Sequence, residues 1–313
     1  MTAPDYASLI DAETWAFIRD SESWYPPETA TFPVARQREI YDAMCRAFFK
    51  GYPEGVEAED RALGGVPCRI YDCGPAAVTV LYLHGGGFVV GGLDSHDDVC
   101  AEICKTTGFR VVAADYRLAP EHLHPAAYDD ALAAARATLA AVPGPLVLVG
   151  DSAGGNLAAA VAQTLKADRR LAGQVLIYPG LGGDHDRGSY LTHAEAPMLT
   201  RADTLYYAAI RHADGVEPPD DATAAPLWAA SFAGLPPTVA FSAECDPLAD
   251  DARHYCALIA AEGGQAHRVL EPGLVHGYLR ARSTVTRARD SFARITAAIA
   301  ALGAGTWPYG EQP

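Results

Sequence analysis

Residues 146–155 read Leu146-Val147-Leu148-Val149-Gly150-Asp151-Ser152-Ala153-Gly154-Gly155. Four branched apolar residues, a Gly-x-Ser-x-Gly turn and an alanine-rich run describe a strand, a sharp turn and a helix. Such a turn lifts one hydroxyl, that of Ser152, above the edge of a sheet. Gly150 and Gly154 carry no Cβ, so the tight turn and the close approach of helix to strand are tolerated. Gly-x-Ser-x-Gly alone is a weak signal, because a serine before a helix also serves as a plain N-cap.

A second motif lies upstream. His84-Gly85-Gly86-Gly87-Phe88 follows the apolar run Val78-Thr79-Val80-Leu81-Tyr82-Leu83. Consecutive glycines let backbone N–H groups face a cavity unobstructed, as is needed to hold an oxygen that becomes negative during acyl transfer. A phosphate-binding loop would place Lys and Ser or Thr next, and Phe88-Val89-Val90 supplies neither.

The 313-residue chain is half hydrophobic and has a formal net charge of −15. That acidity argues against nucleic acid and anionic membranes as partners. Met1-Thr2-Ala3-Pro4-Asp5-Tyr6 shows no basic and apolar leader pattern, and no apolar run reaches bilayer-spanning length. The seven cysteines are scattered and form no metal-ligand spacing, which suits reduced thiols in a cytoplasmic protein.

Strands are expected at 78–83, 110–115, 146–150, 173–178, 238–243 and 267–271, with a hairpin from Glu59 to Tyr71. Helices are expected to begin near Ser95, Ala126, Ala153, Arg201 and Pro247, with a last one over 282–302. This alternation predicts a mostly parallel sheet covered on both faces. Residues 1–52 include a helical pattern over Val34–Lys50, with Ile40, Met44, Ala47 and Phe48 on its apolar side. Residues 180–236 break the alternation and are too long for a simple connection. Both segments are read as a cap over the carboxyl edge of the sheet, where ligands bind in open α/β folds. The remainder, 53–313, is the catalytic domain. Trp24, Tyr25, Phe32, Phe88, Leu199, Tyr206 and Tyr207 are the candidate pocket lining.

A serine hydroxyl needs a base within reach and a group to orient that base. In folds built on this elbow, the chain order is nucleophile, acid, histidine. Of the ten histidines, only His254, His267 and His276 follow the strand at 238–243. His254 falls in a helical pattern and His267 at a strand start. His276 sits in the loop Glu271-Pro272-Gly273-Leu274-Val275-His276-Gly277, which suits the base. Asp246, just before Pro247, is the candidate acid in the strand-to-helix loop, although the same position also suits an N-cap. Asp250 and Asp251 read as a solvated acidic first turn of the following helix.

Together with Asp115-Tyr116-Arg117-Leu118-Ala119-Pro120-Glu121-His122, these motifs resemble the hormone-sensitive-lipase-like esterases of bacteria. Gly91-Gly92-Leu93-Asp94-Ser95-His96-Asp97 is similar to the acetyl-esterase branch. The resemblance spans about residues 55 to 300. It implies an α/β-hydrolase fold with an eight-stranded, mostly parallel sheet and a helical cap. It implies a triad of Ser152, Asp246 and His276, and an oxyanion hole of Gly86, Gly87 and Ala153 N–H groups. The implied activity is hydrolysis of short acyl esters through an acyl-enzyme, with no cofactor and no metal, in a monomer or homodimer. The motif Tyr116–His122 is structural in this picture. Ala249 replaces an arginine common in the family, and Tyr278 replaces a phenylalanine. An amidase or deacetylase with the same triad, and a non-catalytic binding protein on the same scaffold, remain alternatives.

Overall fold

A computed structural model describes residues 4–218 and 220–310; Met1-Thr2-Ala3, part of the leader reading above, lies outside them. In chain order the helices are α1 (Tyr6–Leu9), α2 (Ala12–Glu22), α3 (Val34–Phe48), α4 (Asp97–Thr107), α5 (Ala126–Ala141), α6 (Ala153–Leu165), α7 (Gly188–Thr192), α8 (Arg201–Ile210), α9 (Ala249–Ala261) and α10 (Thr286–Gly303). The strands are β1 (Glu57–Leu63), β2 (Val66–Asp72), β3 (Thr79–Leu83), β4 (Arg110–Ala114), β5 (Leu146–Asp151), β6 (Leu171–Ile177), β7 (Thr238–Cys245) and β8 (Ala266–Val275).

The eight strands form one sheet in the order β1-β2-β4-β3-β5-β6-β7-β8. The hairpin β1–β2 and the β2–β4 pair are antiparallel, and every other pair is parallel. Side chains alternate across a strand, so each strand feeds two cores. Val80, Tyr82, Val147, Val149, Val175, Ile177, Val239 and Phe241 face one side, against Ile103 of α4 and Ile295 and Ile299 of α10. Leu81, Leu83, Leu146, Leu148, Leu176 and Ala240 face the other, against α5, α6 and α9 through Leu139, Leu157, Val161 and Ile259. Burial on both faces is why the central strands carry almost no polar residue.

Two differences from the sequence reading bear on the site. β8 continues through Pro272 and Gly273 to Val275. As the edge strand it tolerates a proline, and Gly273 N–H is held by Glu244 Oε2 at 2.7 Å. His276 therefore follows the strand end directly. Helix α9 starts at Ala249, because Leu248 N–H binds Asp246 Oδ1 at 2.9 Å and Pro247 belongs to the preceding turn.

Candidate active site

Ser152 sits between β5 and α6 with φ 54° and ψ −118°, a conformation that L-residues avoid. Close packing enforces it. A Cβ on Gly154 would lie 1.9 Å from Leu83 O, and one on Gly150 would lie 2.2 Å from Gly154 O. The backbone N–H of Ser152 is fixed by Ile177 O at 2.9 Å.

His276 Nε2 lies 2.8 Å from Ser152 Oγ, and His276 Nδ1 lies 2.8 Å from Asp246 Oδ2. Asp246 is fully buried at the end of β7, and His276 is partly exposed to a cavity. The Tyr178 ring stands 4.8 Å from the imidazole, centroid to centroid, and limits its swing. Three side chains separated by up to 124 residues thus form one hydrogen-bonded series.

In the glycine loop, Gly86 and Gly87 take φ of +125° and +60°. Among the described residues, no protein acceptor takes the backbone N–H groups of Gly86, Gly87 or Ala153, which leaves three donors available beside Ser152. Gly87 is constrained for a second reason: an added Cβ would lie 2.3 Å from the Tyr207 ring, which would have to move.

Asp151 underlies both motifs and escaped the sequence reading. Its carboxylate accepts from Gly85 N–H at 2.9 Å and Tyr82 OH at 2.8 Å on Oδ1, and from Tyr178 OH at 3.3 Å on Oδ2; His96 Nε2 lies 3.2 Å from Oδ1. Burial alone would raise its pKa, but His96 and the hydrogen-bond donors outweigh burial and hold it well below the usual carboxylate range. His84 is buried against Tyr116 with ring centroids 4.2 Å apart. Burial, and the neighbouring His96, push its pKa down to about 4. It is therefore a neutral structural ring at pH 7. Tyr116 OH donates to His84 O at 2.6 Å, which fits the structural reading of the Tyr116–His122 stretch.

The expectation that Asp251 is solvated is overturned. It is 1% exposed, and its Oδ2 accepts from Leu181 N–H at 2.7 Å and Tyr190 OH at 3.1 Å. The carboxylate turns inward because the loop after β6 brings unpaired donors to it. Burial pushes its pKa up to about 7 despite those bonds. Asp250 is only half-buried and pairs with Arg253 at 2.9 Å.

The cavity has a volume of about 890 Å³. Residues of 1–52 (Tyr25, Tyr41, Met44) and of 180–236 (Leu199, Tyr206, Tyr207) line it, with Phe88 between them. Phe88 is also covered by Arg211, whose Cζ is 3.7 Å from the ring centroid. Of the residues expected in the lining, Trp24 and Phe32 lie outside it, and Trp24 is exposed at the surface. Among the described residues, no group of three His, Cys, Asp or Glu side chains could hold a metal ion, and no helix is long and apolar enough to cross a membrane.

A family model described as alpha/beta hydrolase fold matches residues 80–280. The chain is 36% identical over 293 residues to carboxylesterase NlhH of Mycobacterium tuberculosis, covering 86% of this chain and 91% of that protein. It is 34% identical over 248 residues to an ethyl acetate hydrolase of Pseudomonas putida, covering 75% and 78% of the two chains. A solved esterase of the bacterial hormone-sensitive lipase family superposes with a TM-score of 0.82 at 28% identity, over 93% of this chain and 98% of that one.

Proposed function

The chain belongs to the alpha/beta hydrolase family and is a carboxylic ester hydrolase of the hormone-sensitive-lipase-like group, and on that premise we propose that Ser152, His276 and Asp246 cleave short-chain acyl esters through an acyl-enzyme. The observation that carries this reading is the continuous contact Asp246–His276–Ser152, at 2.8 Å in each step.

Ser152 Oγ attacks the ester carbonyl carbon and passes its proton to His276 Nε2. Asp246 holds the Nδ1–H tautomer and stabilises the imidazolium. The carbonyl oxygen, now negative, is received by the N–H groups of Gly86, Gly87 and Ala153. The intermediate collapses, the C–O bond to the alcohol breaks, and His276 gives its proton to the departing oxygen. Water then repeats the sequence on the acyl-serine and frees the acid and Ser152.

Helices of 1–52 and 180–236 act as a cap that bounds the acyl and alcohol positions. The relative named for ethyl acetate supports small substrates. Cytoplasmic action is supported by seven free thiols, six of them buried.

The test is a p-nitrophenyl ester series from acetate to palmitate, run on the parent protein and on Ser152→Ala. Turnover should peak at short chains and fall by several orders of magnitude in the variant. Full activity in Ser152→Ala would reject the nucleophile, and a peak at long chains would reject the substrate size.

A further inference from the structure

Arg280 lies four residues after His276, on the turn Tyr278–Ala281, and lines the same cavity. Its Nη2 donates to Tyr41 OH at 3.0 Å, its Cζ is 5.1 Å from the Tyr41 ring centroid, and the Cys45 thiol lies against it. Among the described residues, no carboxylate stands within ion-pair reach of its guanidinium. A guanidinium carries five N–H donors, so most of this fork faces the cavity without a protein acceptor.

The other arginines of the cavity differ. Arg282 binds Asp98 at 2.7 Å and Glu102 at 2.8 Å. Arg211 has Glu217 at 4.0 Å and Ala224 O at 3.3 Å. Of the carboxylates lining the cavity, Asp98 is engaged by Arg282 and Asp151 by its own ring of donors. The groups that do surround Arg280 are uncharged at neutral pH. Burial pushes up the phenols of Tyr25, Tyr41 and Tyr178 and the thiol of Cys45. Arg280 is half-buried and faces the cavity with no counter-charge beside it, and an arginine fork matches a carboxylate in shape and charge.

We propose that Arg280 receives a carboxylate carried by the substrate, so that the preferred substrates are short esters bearing one negative charge. This rests on the esterase reading above and narrows it. Such an ester spans the cavity from Ser152 to the Tyr41–Arg280 wall, with the charge either on the acyl part, as in a half-ester of a short dicarboxylic acid, or on the alcohol part.

The experiment uses two pairs matched in size, each followed by pH-stat. Methyl hydrogen succinate is set against methyl butyrate, and O-acetylglycolate against propyl acetate. For the parent protein, kcat/KM of the charged member should equal or exceed that of the neutral member in one pair, which also tells which side of the ester carries the charge. Arg280→Gln should lower that charged-to-neutral ratio about 10- to 100-fold, and Arg280→Lys should restore part of it. A ratio unchanged in Arg280→Gln would make the arginine only an anchor for α3, and would overturn the proposal. Should that variant fail to fold, the parent protein decides alone: neutral esters turned over while both charged esters are refused removes the anion site and leaves the hydrolase standing. Turnover of neither class would remove both readings.

Discussion

Gly85 N–H donates to Asp151 Oδ1 at 2.9 Å, so the glycine loop and the residue preceding the serine hang on one buried carboxylate. The two motifs are therefore set relative to each other by a single group. Replacing it with Asn keeps the shape but faces donors with an amide. Asp151→Asn should lower kcat about 10- to 100-fold with little change in KM, since the N–H groups proposed to receive the oxyanion are displaced. Steady-state kinetics on p-nitrophenyl butyrate check this; an unchanged kcat with a lowered melting temperature would assign Asp151 to stability alone.

Asp246 has a narrower task. In Asp246→Asn the amide can donate to His276 and impose the wrong tautomer. Turnover should fall about 10³- to 10⁴-fold while the fold persists. Near-parental turnover in that variant, measured on the same ester, would dismiss Asp246 as the acid.

Asp251 predicts a pH effect on stability. Its folded pKa is raised to about 7, whereas an unfolded aspartate titrates near about 4. Between those values the folded state holds a proton that the unfolded state has lost. The contribution to stability is thus greatest at about pH 4, falls as pH rises, and levels off above about 7. Asp151 acts in the opposite sense and lower down: its depressed pKa stabilises the fold above about pH 4 and ceases to do so in acid. Calorimetry from pH 4 to 8 should show Asp251→Asn with a flatter pH dependence than the parent protein. Parallel curves would refute the buried-acid assignment.

Two glycines separate packing from backbone effects. Gly154→Ala places a Cβ 1.9 Å from Leu83 O, so α6 must move off β3, at a cost above about 3 kcal/mol. Gly263 has φ +79° and open space around it, so Gly263→Ala carries only the left-handed backbone penalty of about 1–2 kcal/mol. Denaturant unfolding of the two variants should rank them in that order. The reverse order would mean that α6 has slack at the elbow.

The strands and the proposed triad of Ser152, Asp246 and His276 are legible in the sequence because each is marked locally. Apolar runs mark β3, β5 and β7, glycines mark the turns, and chain order leaves His276 beside Asp246. Asp151, Asp251 and Arg280 carry no such mark. What distinguishes them is the donors or the lack of acceptors supplied by distant segments: Gly85 and Tyr82 for Asp151, Leu181 and Tyr190 for Asp251, Tyr41 for Arg280. An aspartate in the first turn of α9 looks solvated until the loop after β6 is laid across it. β8 extends to Val275, beyond its apolar run, because Pro272, which would end a central strand, is harmless at an edge.

The φ of 54° at Ser152 sets activity against endurance. Glycine alone adopts that conformation freely, so a glycine there relaxes the backbone by about 1–3 kcal/mol while deleting the hydroxyl. Directed evolution for heat tolerance without an ester in the screen would favour that replacement, and under the proposed mechanism its most robust clones would be chemically dead.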